Sequence, residues 1–215
     1  MVALYEDAHL VICVKPHGVL SAPDASGRES MASVLAPRTI FPVHRLDREV
    51  GGIMVFAKTR GAAASLSAAM GDSFIKEYLA LCEDACLPDE GVFEDLLFHD
   101  RLKNKTYIAK RKRSGVKDAK LAYRVLCRTE NGHALVRVRL YTGRTHQIRV
   151  QFASRHCPLY GDRKYGAKTN GTIELVAWRL TFPHPSEHRL VSVSLPQEFF
   201  PPGILSACKS SGIVL

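Results

Sequence analysis

Val43-His44-Arg45-Leu46-Asp47-Arg48-Glu49-Val50-Gly51-Gly52-Ile53-Met54-Val55-Phe56-Ala57 is the stretch on which the fold of this chain turns. Its first half is crowded with charged and hydrogen-bonding groups. Its second half is an apolar run introduced by two glycines. Such a run, punctuated by turn residues, predicts a buried strand. Asp47 therefore stands where a loop enters a strand, a position at which sites are commonly built on a rigid scaffold. Taken singly, Asp47 reads better as one half of a surface ion pair with Arg45 or Arg48.

Working outward, residues 10–14, Leu-Val-Ile-Cys-Val, form a second buried run, stopped by the turn signal Lys15-Pro16-His17-Gly18. Residues 21–30 are small and polar and read as loop. The alanine-rich residues 61–70 favour helix, and residues 78–82 favour strand. Residues 83–100 carry seven acids and no Lys or Arg, and read as loop or hairpin around Val92-Phe93 and Leu96-Leu97-Phe98. Residues 123–127 and 134–140 read as strands. In the latter, Val136, Val138 and Leu140 alternate with Arg137 and Arg139, giving one buried and one basic face. After the turn Thr142-Gly143, Thr145 is expected to N-cap a short helix in which Ile148 and Phe152 form an i,i+4 apolar pair. Residues 175–182 and 189–195 read as closing strands. With no repeat and no linker-like stretch, the expectation is one strand-rich domain over residues 1–215.

The composition, 46% hydrophobic and 24% charged over 215 residues, suits a chain that buries a sizeable core. No apolar run approaches the roughly 18–20 residues of a membrane span. The start of the chain has neither a basic nor an apolar leader region, so the expected location is intracellular and cytoplasmic. The six cysteines are scattered, and the spacing Cys82-x-x-x-Cys86 has no second pair to complete a zinc cage; buried free thiols are the reading. The net charge of +9 is concentrated: residues 101–124 hold ten Lys or Arg against one acid, Asp118, and the remainder is balanced. A local positive excess fits a polyanion such as nucleic acid. Charge alone leaves a solvated basic loop equally open.

His184-Pro185-Ser186-Glu187-His188 matches a zinc-protease pattern, H-x-x-E-H. That chemistry needs both histidines on one helical face, whereas Pro183 and Pro185 predict a turn. A second dense polar segment, Tyr141-Thr142-Gly143-Arg144-Thr145-His146-Gln147-Ile148-Arg149, lies between a strand and a helix; by itself Arg149 is also read as an ordinary helix-face charge.

Together these segments resemble the RluA-type pseudouridine synthases. His44-Arg45-Leu46-Asp47, with Gly52 and Ala57-Lys58, is similar to that family's H-R-L-D-x-x-T-S-G signature ending in A-K. Lys15-Pro16-His17-Gly18 resembles its K-P-x-G turn, and Lys76-Glu77-Tyr78-Leu79-Ala80 its K-x-Y-x-A element. Residues 142–150 are similar to its T-G-R-T-H-Q-I-R-V helix entry, followed by Gly161-Asp162 and Tyr165-Gly166; His184-Pro185 falls at its late H-P turn.

The resemblance covers nearly the whole chain and implies an α+β fold, a largely antiparallel sheet flanked by helices. It places the catalytic aspartate at Asp47, a uridine-stacking tyrosine at Tyr78, and the arginine that pairs with the aspartate at Arg149. Arg45 falls where the family's base-flipping arginine stands, and His44 and Arg144 are candidate RNA contacts beside it. The Lys110-Arg111-Lys112-Arg113 run would grip the backbone. The family's Thr-Ser after the aspartate is Val50-Gly51 here, which removes two hydroxyls near the nucleophile. Many relatives also carry a small RNA-binding domain before the catalytic one, and this chain reads as the catalytic domain alone. The implied reaction converts uridine to pseudouridine in structured RNA, ribosomal or transfer RNA, without cofactor or metal, by an enzyme whose default state is a monomer. A catalytically weak RNA-binding or RNA-remodelling protein on the same fold is the alternative, and a small-molecule lyase or hydrolase sits poorly with the basic segment.

Overall fold

The β-branched run before Pro16 forms a strand in which all six residues, Leu10–Lys15, are buried. A strand apolar on both faces needs cover on both faces, and the chain is arranged around that requirement. The computed structural model describes residues 2–71, 73–83 and 87–215; Cys86, read above as half of a cysteine pair, lies outside them. In chain order the elements are β1 (Ala3–Glu6), β2 (Leu10–Lys15), α1 (Met31–Val34), β3 (Phe41–Pro42), β4 (Gly51–Ala57), α2 (Arg60–Ala68), β5 (Ile75–Cys82), β6 (Glu90–Asp100), β7 (Lys105–Ile108), β8 (Val116–Arg128), β9 (Ala134–Leu140), α3 (Gln147–Ala153), β10 (Leu175–Pro183), β11 (Leu190–Ser194) and α4 (Pro202–Ser210). The α+β class, with strands mostly antiparallel and few helices, is as expected. Contacts divide the chain into two compact units, residues 1–76 with 176–199 and residues 77–175 with 200–215.

The first unit is built on β4. On one side β2 pairs antiparallel from Leu10↔Ala57 to Lys15↔Gly52, and β1 extends the sheet beyond it. On its other side the start of β4 runs parallel to β10, with Ala177 opposite Gly52, while its end pairs with β3. The hairpin partner β11 lies antiparallel on β10. Helix α2 starts at Thr59, whose side chain accepts the Ala62 N–H at 3.1 Å, satisfying one of the orphan donors of a first turn.

The second unit orders its strands β5-β9-β8-β6-β7. Residues 83–100 depart from expectation: where loop or hairpin was predicted, Glu90–Asp100 is an eleven-residue strand. Its acids disguise the period. Phe93 and Leu97 are buried, while Glu94 faces Lys120 on β8 at 2.6 Å and Asp95 binds Arg155 at 3.0 Å. Strand β8 likewise begins at Val116 rather than at residue 123, with Ala119, Leu121 and Tyr123 buried between charged neighbours. Charge on the outward positions masked both strands. Helix α3 covers the inner face: Phe152 packs edge-on against Phe93 and Tyr123.

Gly52 is the tightest point of the first unit. Its φ is +118°, and an added Cβ would lie 2.3 Å from the Ala177 carbonyl oxygen and 2.6 Å from the Ala177 nitrogen. Gly18 also has a positive φ, +85°, but faces open space. Gly52→Ala is expected to cost about 2–4 kcal/mol of stability by strain plus clash, and Gly18→Ala about 1–2 kcal/mol by strain alone. Denaturant titration of the two variants compares them; equal losses would show that the close approach to Ala177 is not the constraint.

Candidate active site

The loop from Val43 to Val50 has no repeating secondary structure, so its backbone groups need individual partners. His44 turns its imidazole back onto β4, where Nε2 accepts the Val55 N–H at 3.2 Å. Burial, with Lys76 adding to it, pushes the ring down to about 3, so it is neutral and its proton sits on Nδ1. Among the described residues that buried Nδ1 has no hydrogen-bond partner. The Leu46 N–H donates to the Ser21 hydroxyl at 2.9 Å, and the same hydroxyl donates to the Leu46 carbonyl at 2.7 Å. The Arg48 carbonyl accepts from the Gly18 N–H at 2.8 Å and from Lys15 Nζ at 3.2 Å. A turn closed by Val50 N–H on the Asp47 carbonyl, 3.0 Å, leads into β4. Asp47 is half-buried and Arg45 exposed. At the position where the family signature has serine, a Cβ on Gly51 would meet the Lys15 carbonyl at 3.3 Å, and Val50 is buried in the apolar interior.

In the second unit, Tyr78 is a buried residue of β5. Arg149 is among the largest fully buried side chains. Its Nε donates to Asp162 Oδ2 at 2.7 Å and its Nη2 to Asp162 Oδ1 at 2.8 Å. This two-point fork fixes the guanidinium plane, which a single-point ammonium could not do. The Tyr165 ring lies 5.2 Å from the guanidinium carbon. The Tyr165 hydroxyl accepts the Thr106 N–H at 2.8 Å and meets His146 Nδ1 at 2.9 Å. Burial first, then Arg149 and Lys164, push His146 down to about 3, and burial pushes the Tyr165 phenol up to about 12. The neutral imidazole therefore accepts from the phenol. His146, in the left-handed region at φ 52°, is the residue that precedes α3. Thr145, predicted as the cap, instead offers its carbonyl to the Thr106 hydroxyl at 2.8 Å. No side chain caps α3, whose N-cap is the left-handed His146; Gln147 instead ties down the preceding turn, its Oε1 accepting the Arg144 N–H at 3.0 Å and the Thr142 hydroxyl at 2.8 Å.

Arg144 Nε donates to the Asp118 carbonyl at 2.8 Å, which fastens the α3 entry to β8. Lys110, Arg111, Lys112 and Arg113 are all exposed on the loop between β7 and β8. Lys112 pairs with Asp118 at 3.1 Å, both largely exposed, a contact worth little in water; Arg113 lies over the Phe98 ring at 5.1 Å. His44, Arg45 and Asp47 thus share one loop of the first unit. Tyr78, Arg144, Arg149 and the basic run belong to the second.

The H-x-x-E-H segment is a turn. His184 Nε2 faces Asp7 Oδ2 at 2.7 Å, and its Nδ1 accepts the Glu187 N–H at 3.1 Å. Burial raises the Asp7 carboxyl, but the N–H groups of Leu10 and His9, with His184 and Tyr5, more than offset this and hold it well below the usual range. Although Asp7, His184 and Glu187 bring donor atoms within 4.8 Å of one another, both imidazole nitrogens are committed. Sequence reading did not single out Lys15, Ser21, Asp162 or Tyr165 as site residues. Lys15, Asp162 and Tyr165 lie within the motifs of the resemblance, which was the available signal; Ser21 carried none.

Residues 9–154 match the family described as RNA pseudouridylate synthase. The chain belongs to that family. It is a pseudouridine synthase, an isomerase that acts on RNA. It is 31% identical to the RNA pseudouridine synthase YhcT of Bacillus subtilis (strain 168), over 96% of this chain and 71% of that one. It is also 31% identical to the dual-specificity RNA pseudouridine synthase RluA of Yersinia pestis, over 86% of this chain and 93% of that one. In fold it is similar to human RNA pseudouridylate synthase domain containing 4, with a TM-score of 0.77 at 22% identity, covering 96% of this chain and 91% of the other.

The Asp162 carboxylate holds Arg149 at two points. Asp162→Ala leaves a buried guanidinium without its fork and is expected to cost about 3–5 kcal/mol of stability. The double variant Asp162→Ala/Arg149→Met removes both charges and is expected to recover part of that loss. Thermal unfolding of the two single variants and the double measures the coupling; additive losses would show that the fork carries no net interaction.

Proposed function

We propose that this enzyme isomerises uridines in structured RNA, ribosomal or transfer RNA, with Asp47 as the nucleophile and the whole chain, residues 1–215, as one catalytic domain working in the cytoplasm. The observation that supports this most directly is His44-Arg45-Leu46-Asp47 at the head of β4, on a loop pinned at successive backbone groups, in a chain of this family. The reaction breaks the N1–C1′ bond of uridine and joins C1′ to C5; the proton leaves C5 and one is returned to N1. Nothing is oxidised, and a carboxylate supplies the nucleophile, at C6 of the base or at C1′ of the ribose.

Either attack needs Asp47 ionised, and a buried carboxylate tends to hold its proton unless a cation opposes it. Arg149 takes that role in this reading. Its Nε and Nη2 edge is held by Asp162, which presets the direction of the rest of the guanidinium. Tyr78 stacks on the uracil; the burial of its ring suits a base shielded from water. Since C6 and C1′ are out of reach inside a duplex, the nucleotide is extruded. Exposed Arg45 fills the vacated stack, and Arg144 lines the approach of the RNA; His44, read from the sequence as an RNA contact, instead has its ring turned onto β4 and buried, so it holds the loop rather than the RNA. The Yersinia pestis relative is named a dual-specificity enzyme, which supports keeping more than one class of RNA as substrate.

Asp47→Asn is expected to lower turnover about 1,000-fold or more while leaving RNA affinity and folding intact. Release of tritium from C5 of labelled uridine in transcribed ribosomal and transfer RNA reads turnover, and filter-binding titration reads affinity. Turnover within a few-fold of wild type would sink the nucleophile assignment.

Changing Lys110, Arg111, Lys112 and Arg113 together to Gln is expected to weaken RNA binding across sequences, with the slope of log K against log[salt] flattening by roughly 0.7–0.9 per lost phosphate contact. Turnover at saturating RNA should fall far less. An unchanged salt slope would identify the run as a solvated loop.

A further inference from the structure

Strands β8 and β9 turn two unlike faces to their surroundings. The buried side chains of Leu121 and Tyr123 on β8, and of Val136 and Val138 on β9, point to the side covered by α3, where Phe152 meets the Tyr123 ring edge-on. The alternate residues point the other way. On that outward face Lys120, Arg124 and Arg139 are exposed and Arg137 is half-buried. Tyr141, two positions beyond Arg139, is 38% exposed.

A sheet face in water commonly carries charges of both signs, and part of this one does. Glu94 of β6 binds Lys120 at 2.6 Å, Glu90 stands opposite Arg124, Glu77 of β5 faces Arg137 at 3.6 Å, and Asp118, farther along β8, meets Lys112 at 3.1 Å. Between β8 and β9 themselves the pattern differs. Arg124 lies directly opposite Arg137, and Ala122 opposite Arg139. Like charges on directly opposed positions destabilise a strand pair, and Arg139 adds a third guanidinium about 7 Å along the strand from Arg137. A face kept only for solubility would set unlike charges across that pair. Three neighbouring guanidiniums held at a cost to the sheet suit an anionic ligand.

Tyr141 narrows the kind of anion. The Arg139 guanidinium carbon lies 5.1 Å from its ring centroid and Lys120 Nζ 5.7 Å. An exposed ring with cations beside it on an open sheet face offers a stacking surface for a base and partners for the phosphates that flank it. Only a base outside a duplex has a face free to stack, so the combination fits an unpaired strand.

We propose that the outward face of β8 and β9 is a second RNA-contacting surface, which takes an unpaired stretch of the substrate RNA. Arg124, Arg137 and Arg139 meet its phosphates, and Tyr141 stacks one of its bases. Helix α3, which carries Arg149, lies on the opposite face, so the stretch held here is a segment flanking the reacting uridine. The inference rests on RNA as the substrate and is independent of Asp47 as the nucleophile.

The experiment compares wild type, Arg124→Gln/Arg139→Gln and Tyr141→Leu in filter-binding titrations over a range of salt. The unpaired probe is an oligouridylate of about 12 nucleotides, within the span that such a surface covers; the paired probe is a blunt RNA duplex of the same length. Transcribed ribosomal and transfer RNA serve as the full substrates. The double variant is expected to bind oligouridylate about 10-fold more weakly, with the slope of log K against log[salt] flattened by roughly 0.7 for each of the two lost contacts. Tyr141→Leu should lose about 5-fold or more, the scale of one stacked base, with the slope and the duplex affinity unchanged. Tritium release at saturating RNA should stay at the wild-type rate in both. Because Arg124→Gln relieves the opposition to Arg137, the double variant should unfold at a temperature no lower than wild type.

Unchanged oligouridylate affinity in both variants overturns the proposal, and so does an equal loss on duplex and oligouridylate in Tyr141→Leu. A lower Tm with unchanged affinity would make the face a structural one and overturns it as well. Should the double variant fail to fold, Arg139→Gln alone and Tyr141→Leu decide the matter. A wild type that binds neither probe nor the transcribed RNAs sinks the structured-RNA reading and this inference with it; firm binding of the transcribed RNAs with no response to any of these variants sinks this inference alone.

Discussion

A backbone that leaves regular structure must find a donor or acceptor for each of its polar groups, and at the head of β4 side chains supply them. Leu46 is answered by Ser21, Arg48 by Lys15, and the Val55 N–H of the strand itself by the His44 ring. The partners come from β2, the turn after it and the following loop. The position of Asp47 thus depends on the register of β2 against β4, six paired residues from Leu10 to Lys15. A one-residue slip would reverse the faces of β2 and remove Lys15 from Arg48. The sheet register and the placement of the carboxylate are one structural fact.

The second unit solves a different problem, that of burying an arginine. The Arg149–Asp162 fork, at 1% exposure on both sides, is a pair for which desolvation and attraction nearly cancel, and its value lies in fixing a plane. Around it the chain spends several polar groups in one connected path: Thr106 to Tyr165, Tyr165 to His146, Thr106 to Thr145. Every member is satisfied by another, the condition under which a buried polar network rigidifies a site. A left-handed histidine at the entry of α3 is tolerated because its ring is held by Tyr165.

Much of this was legible in the sequence. The apolar runs at residues 10–14 and 53–57 became the paired strands β2 and β4, and the alternation at 134–140 became β9. Strand β6 was hidden because its outward acids are partners of basic residues on other elements, Lys120 and Arg155, and a pairing across strands leaves no local signature. Helix α4 and strand β1 were missed for a related reason: short elements at chain ends owe their order to contacts made elsewhere. Glu174, buried under α4, accepts the Gly203 and Ile204 N–H groups, a contact across 29 residues. Among the candidate site residues, those in long motifs could be proposed from the sequence. Ser21 could not, since its importance is two hydrogen bonds to a residue 25 positions away.

The strand order of the second unit ends at β7, a four-residue strand with Tyr107 and Ile108 partly exposed at 38% each. A terminal strand offers unpaired backbone donors and acceptors to any other strand it meets. Four consecutive cations follow β7 directly after Ala109, and like-charged loops repel when two such edges approach. The basic run would therefore have a second physical consequence besides the RNA grip proposed for it: its like charge disfavours pairing of two copies along β7. Selection on solubility and selection on the proposed grip of RNA would then act on the same four side chains.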